Sequence, residues 1–278
     1  MPPEISASRR RIAGVGTHVL SGGAGEPIVF LHGLGASSFS WRHLLPEFAK
    51  THSVYAPDFP GYGRSDKPRD FDYTFAGFAR WLSAFLKELD LPRAALVGNS
   101  MGGDVSLFLA LQSPELVSRF VMIGSPVNQD NIPRLIWTMR RPFVGRILEP
   151  LLGRWTVRLV APTAFHDRSC ITEEVLDEYS LALSTPEGRH AAAENIRRCL
   201  SPELADYIAR YPKLEPPVLF IRGEHDRVVD DASAEWFCRT VPKGRFLRIP
   251  DCGHVPQEER PEAVAAAIRE FLASPGKP

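Results

Sequence analysis

The 278-residue chain carries no excess charge of either sign: Lys+Arg and Asp+Glu number 33 each. A nucleic-acid partner is therefore not expected, since such binding rests on a basic surplus. Cysteine is sparse. Cys170, Cys199, Cys238 and Cys252 are scattered, with no CxxC pair and no Cys/His spacing for a structural metal. Free thiols in a reducing, cytoplasmic compartment are the expected state. Long apolar runs are also missing. None approaches the roughly 20 residues that a membrane span needs. The start, "MPPEISASRRRIAGVG", lacks the apolar core of a signal peptide. Internal repeats and low-complexity tracts are absent as well. What remains is the balance of an ordinary globular protein, 44% hydrophobic and 24% charged.

Strand and helix patterns alternate along most of the chain. "PIVFL" (27–31) is an unbroken apolar run, as in a strand buried on both faces. Glycine-broken shorter strands precede it, and "SVYAPDF", "AALVG", "RFVMIGSP", "PVLFIRG" and "GRFLRIP" follow. Helices are expected at "SFSWRHLLPEFAK", "MGGDVSLFLALQSP", "DASAEWFCRTVP" and "ERPEAVAAAIREFLAS". From Phe75 to Leu89 the apolar residues fall at 75, 78, 82, 85, 86 and 89, the spacing of one helix face. The alternation predicts an α/β fold, with a mostly parallel sheet flanked by helices. Residues 126–213 break it, with helix-like pieces and no convincing strand. They are read as a helical cap, or lid, inserted after strand 6, leaving 1–125 and 214–278 as the core domain. Its expected place is over the carboxyl ends of the strands, where α/β folds bind ligands.

The stretch "ALVGNSMGGDVSLFLAL" (95–111) surrounds one serine with glycines. A serine between a strand and a helix stands clear of the sheet only if the chain turns sharply. Glycine two before and two after removes Cβ atoms that would clash there. Gly98-Asn99-Ser100-Met101-Gly102 fits this G-x-S-x-G turn, and the helix start favours developing negative charge. A base and an orienting acid must come from later strand ends. "VLFIRGEHDRVV" offers Glu224, His225 and Asp226, and "FLRIPDCGHVP" offers Asp251 and His254. Both loops leave the sheet at the edge where Ser100 lies.

With "HGLG" after one strand, "DFPGYGRSDKP" after the next, "GNSMGG", "GEHDRVV" and "CGHVPQEERPE", the chain resembles the α/β-hydrolase fold superfamily over nearly its whole length. The resemblance implies a Ser100–His254–Asp226 triad. His254 would take the Ser100 proton and Asp226 would orient the imidazole. It also implies an oxyanion hole from the backbone N–H groups of Leu34 and Met101. His32, Asp58, Arg64 and Asp66 are read as loop braces, and Asp104 as a non-catalytic helix residue.

A serine nucleophile argues against haloalkane dehalogenases and epoxide hydrolases, which use aspartate at that point. The first expectation is hydrolysis of carboxylic esters with short to medium acyl chains through an acyl-serine, with no cofactor or metal. The second is carbon–carbon cleavage of meta-cleavage products, which "GNSMGG" resembles. That family reads HG-x-G-P-G where this chain has "HGLGAS", and tryptophan where it has Val255. A cofactor-free perhydrolase or haloperoxidase and a small-molecule receptor are further alternatives. Asn99, Val255 and Trp137 are the candidate pocket residues, and Arg197 or Arg198 would serve the carbon–carbon reading. In the cap, Arg134, Arg140, Arg141, Arg146, Arg154 and Arg158 face one acid, Glu149, with Trp155 among them. Transient contact with a lipid surface is one reading, and a solvated cap whose arginines pair with core acids is the other.

Overall fold

The computed structural model describes residues 4–128, 141, 144, 147–198 and 204–274. Among these, eight strands form one sheet: β1 Ser6–Ile12, β2 Val15–Gly22, β3 Pro27–Leu31, β4 Ser53–Pro57, β5 Ala94–Asn99, β6 Val117–Ile123, β7 Val218–Gly223 and β8 Gly244–Ile249. Their spatial order is β1-β2-β4-β3-β5-β6-β7-β8. β1 and β2 pair antiparallel, as do β2 and β4, and every later pairing is parallel.

The central strands are mostly apolar because both faces are covered. Val29 and Leu31 of β3, Leu96 of β5 and Phe120 and Met122 of β6 face one core. Ile28, Phe30, Val97, Val121 and Ile123, one residue out of phase, face the other. This period of two is what a strand imposes. Besides short 3-10 turns, ten α-helices follow in chain order among the described residues: α1 Leu45–Phe48, α2 Phe75–Glu88, α3 Met101–Gln112, α4 Arg154–Ala164, α5 Glu173–Ser180, α6 Pro186–Arg198, α7 Leu204–Ile208, α8 Asp231–Thr240, α9 Pro256–Glu259 and α10 Pro261–Ala273. The first core takes side chains from α2, α3 and α8, and the second takes them from α1 and α10. Thr74 starts α2 by accepting the Gly77 N–H at 3.0 Å, and the stripe Phe75, Phe78, Leu82, Phe85 and Leu86 turns inward. Each such aromatic or leucine contributes on the order of 1.5–3 kcal/mol by burial.

"SFSWRHLLPEFAK" differs from expectation. It splits into a 3-10 turn, Ser38–Trp41, and the single turn α1. Pro46 has no N–H and is confined to a first helical turn, so the chain restarts there rather than running through. Ser38 N–H is also drawn off to Asp58 Oδ1 at 2.6 Å.

Between β6 and β7 the described residues form helices and no strand. This insertion packs on the core through Ala161, Phe165, Val175 and Leu176, which meet Val255 and Phe39. Polar ties add direction. Both terminal nitrogens of Arg64 reach Glu178 of α5 at 2.7 Å. Asn195 of α6 accepts from Tyr62 Oη at 2.8 Å and donates to the Tyr73 carbonyl at 3.0 Å. Arg154 and Arg158 pair with Glu173, and Arg154 also with Asp177. Those acids belong to the insertion itself rather than to the core. Arg134, Arg140 and Arg146 lie outside the described residues. Cys170, Cys238 and Cys252 are free thiols, and Cys199 is not among the described residues. No helix among the described residues is long and apolar enough to cross a membrane.

Candidate active site

The strand order reverses direction between β3 and β5, which places a crevice at their carboxyl ends. The "HGLG" loop leaves β3 there and Ser100 follows β5. Ser100 sits at φ 51° and ψ −120°, a conformation that side chains rarely adopt. It is held by its own N–H, which donates to the Ile123 carbonyl at 2.8 Å. The glycines show why the turn exists only in this sequence. A Cβ on Gly98 would run into the Gly102 backbone, one on Gly102 into the Leu31 carbonyl, and one on Gly103 into Ser125 Oγ.

The carboxyl ends of β7 and β8 bring the partners. Asp226 Oδ2 lies 3.0 Å from His254 Nδ1, and Oδ1 lies 3.2 Å from it. The Asp226 side chain is fully buried. Oδ1 also accepts the N–H groups of Val228 at 2.7 Å and Val229 at 3.1 Å. Burial alone would raise its pKa. The neighbouring His254 and these two donors outweigh burial and hold it below the ordinary carboxylate value. An ionised Asp226 fixes the histidine tautomer, with the proton on Nδ1 and Nε2 left basic. Among the rival acids, Glu224 and Asp251 are exposed and neither bonds to His254. Their ligand atoms, with those of His225, instead gather within 4.8 Å of one another at the surface. Two separate loops supply that group, so no sequence spacing reveals it.

Among the described residues the Ser100 hydroxyl has no hydrogen-bond partner, and neither the Leu34 nor the Met101 N–H has an acceptor. Nucleophile–base contacts are commonly long in unliganded sites and tighten on loading. The free donors flank the Ser100 turn: a Cβ on Gly33 would stand 3.3 Å from Ser100 Cβ. His32 stabilises their loop. Its Nε2 accepts the Phe59 N–H at 3.0 Å, so Nδ1 carries the proton and donates to the Gly33 carbonyl at 2.8 Å. Burial lowers its pKa against the opposing pull of Asp58 and Gly33, consistent with a neutral ring. Asp58 takes the N–H groups of Ser38 at 2.6 Å and Arg64 at 2.7 Å, and Asp66 takes that of Gly16 at 2.8 Å.

Asn99 is 3% exposed and its amide donates to the carbonyls of Ile123 at 3.0 Å and His254 at 3.1 Å. It ties the end of β5 to the histidine loop, a consequence of standing beside the turned-out Ser100. Val255 is buried against the insertion. Trp137 lies outside the described residues. Arg198 pairs with Asp72 at 3.0 Å, and Arg197 pairs with Glu194.

Other bracing side chains carry only weak sequence signals. Arg222 is an arginine within the apolar β7, 7% exposed. Its guanidinium holds the acid loop through the carbonyls of Val229 at 2.6 Å, Asp226 at 3.0 Å and Glu224 at 3.2 Å. Glu258 is buried beside Arg42 at 2.9 Å and takes the hydroxyls of Ser40 at 3.2 Å and of Tyr179. Burial raises its pKa, with Arg42, Tyr179 and Ser40 opposing.

A family model described as alpha/beta hydrolase fold matches residues 26–261. The chain is 31% identical over 251 residues to the uncharacterized hydrolase YugF of Bacillus subtilis, covering 89% of this chain and 90% of that protein. It is 29% identical over 271 residues to a 2-hydroxymuconate semialdehyde hydrolase of a Pseudomonas strain, covering 94% and 92%. A solved thermophilic esterase from Thermogutta terrifontis superposes with a TM-score of 0.80 at 25% identity, covering 96% of this chain and 98% of that one.

Proposed function

The chain belongs to the alpha/beta hydrolase fold family, and from that premise we propose that it is a serine hydrolase cleaving carboxylic esters of short to medium acyl chains. The observation that carries this reading is the strained Ser100 at a strand end beside the Asp226–His254 pair. In the proposed reaction, Ser100 Oγ attacks the ester carbonyl carbon and its proton passes to His254 Nε2. The Leu34 and Met101 N–H groups receive the oxyanion. His254 then protonates the departing alkoxide, leaving an acyl-serine. Water, deprotonated by the same nitrogen, releases the acid and restores the serine. Each oxyanion donor is worth a few kcal/mol in such sites, about 2.7–4.

The helical insertion acts as the cap in this proposal, and the molecule works in the cytoplasm on a small-molecule ester without nucleic acid or stable membrane insertion. Transient lipid contact is supported by Trp155 and Leu159, exposed one turn apart on α4, and by the exposed Leu151 just before it.

Carbon–carbon hydrolysis is the second reading, favoured by the likeness to the 2-hydroxymuconate semialdehyde hydrolase. It calls for polar groups to hold a dienolate and a carboxylate. Asn99 is engaged by two carbonyls, and Arg197 and Arg198 by acids, which supports the ester. A series of nitrophenyl esters run beside a 2-hydroxy-6-oxo-dienoate decides between them. Nitrophenyl butyrate should turn over well, and Arg197→Ala or Arg198→Ala should change its rate less than about tenfold. Efficient dienoate cleavage that is lost in one of those variants, with slow ester turnover, would reverse the order.

A further inference from the structure

The loop that carries His254 is bonded to the insertion as well as to the sheet. His254 N–H donates to the Ala164 carbonyl, at the end of α4, at 2.7 Å. Glu259, 5% exposed, spans the same junction. Its Oε1 accepts the Gly253 N–H at 2.7 Å, and its Oε2 accepts the N–H groups of His166 at 2.9 Å and Asp167 at 2.6 Å. Gly253 is a glycine because the two chains nearly touch: a Cβ there would meet the Ala164 carbonyl oxygen and stand 2.8 Å from the His166 nitrogen. One carboxylate therefore holds the residue before His254 with one oxygen and the insertion with the other. We propose that Glu259 is a positioning residue that couples the seating of the insertion to the placement of the His254 imidazole. Only a carboxylate offers two acceptor oxygens to three donors, whereas glutamine must turn an NH₂ toward at least one of them.

The kinetic part rests on the ester-hydrolase reading. Glu259→Gln is compared with wild type on nitrophenyl butyrate and on ethyl butyrate. Nitrophenolate leaves without a proton, while ethoxide needs one from His254. A displaced imidazole therefore lowers kcat/KM, which reports the acylation step alone, at least about tenfold more on ethyl butyrate than on nitrophenyl butyrate. A smaller folded fraction would lower both by the same factor, and that equal fall would overturn the proposal.

Amide hydrogen exchange supplies a test independent of activity. In wild type the His166, Asp167 and Gly253 amides should share one protection factor, because one carboxylate releases them together. In Glu259→Gln all three should lose protection while β7 keeps it. Unequal wild-type protection, or a loss confined to His166 and Asp167, would contradict the coupling. If the glutamine variant does not fold, Glu259→Asp and the wild-type measurement decide the matter. A wild type that turns over neither ester sinks the ester reading and leaves the exchange result to decide the coupling.

Discussion

Ser100 and Asp104 stand one helical turn apart and illustrate opposite costs. Ser100 is strained in its backbone and open at its hydroxyl. Asp104 is regular in its backbone and costly in its side chain. It is 3% exposed, Oδ2 has no partner among the described residues, and burial raises its pKa well above the ordinary carboxyl value. The sign of its pH effect follows. As pH rises above about 4, the unfolded chain loses this proton while the folded protein keeps it. Stability therefore falls with pH until the folded pKa is passed. Asparagine cannot ionise, so the melting temperature of Asp104→Asn relative to wild type should rise between about pH 5 and about pH 8. Scanning calorimetry on both proteins checks this, and a difference that is flat or falls over that interval would place the ionised form of Asp104 comfortably in the fold.

At the scale of elements, the turn from β5 to α3 is fixed by backbone contact rather than by side-chain packing. The Leu31 carbonyl occupies the place of a Cβ on Gly102, and a main-chain carbonyl in a central strand has nowhere to go. Gly102→Ala should cost about 1–3 kcal/mol or more in a urea titration. A variant as stable as wild type would mean that β3 and the turn yield easily. This turn is also where the sequence speaks most clearly, since glycines at 98, 102 and 103 around one serine have few other uses. Asp226 and His254 are legible for a related reason: each follows an apolar strand in a short loop. The braces are not. Arg222 reads as an interruption of "VLFIRG", and Glu258 and Glu259 in "PQEERPE" read as ordinary helix charge. Their partners are set by folding, as with His166 and Glu259, 93 residues apart. The partners of Asn99 are likewise distant in sequence: the carbonyls that take its amide protons belong to β6 and the loop after β8. The broken helix near Pro46 shows the same limit, because apolar spacing alone runs across a residue that cannot continue the hydrogen-bond ladder.

At the scale of the whole molecule, the sheet and the insertion meet at the histidine loop. Hydrophobic contact through Val255 and the buried Glu258 and Glu259 carboxylates join the two there, and the Arg64–Glu178 fork adds a tie from the loop after β4. Equal numbers of acids and bases leave no net charge to steer a charged substrate over long range. The proposed reaction depends on one bond forming at one atom. Labelling with a fluorophosphonate followed by peptide mass spectrometry reads it directly. One adduct per chain should appear, on the peptide containing Ser100, and it should vanish in Ser100→Ala together with roughly 10⁴-fold or more of kcat. An adduct on another residue, or one that persists at the same stoichiometry in Ser100→Ala, would contradict the assignment.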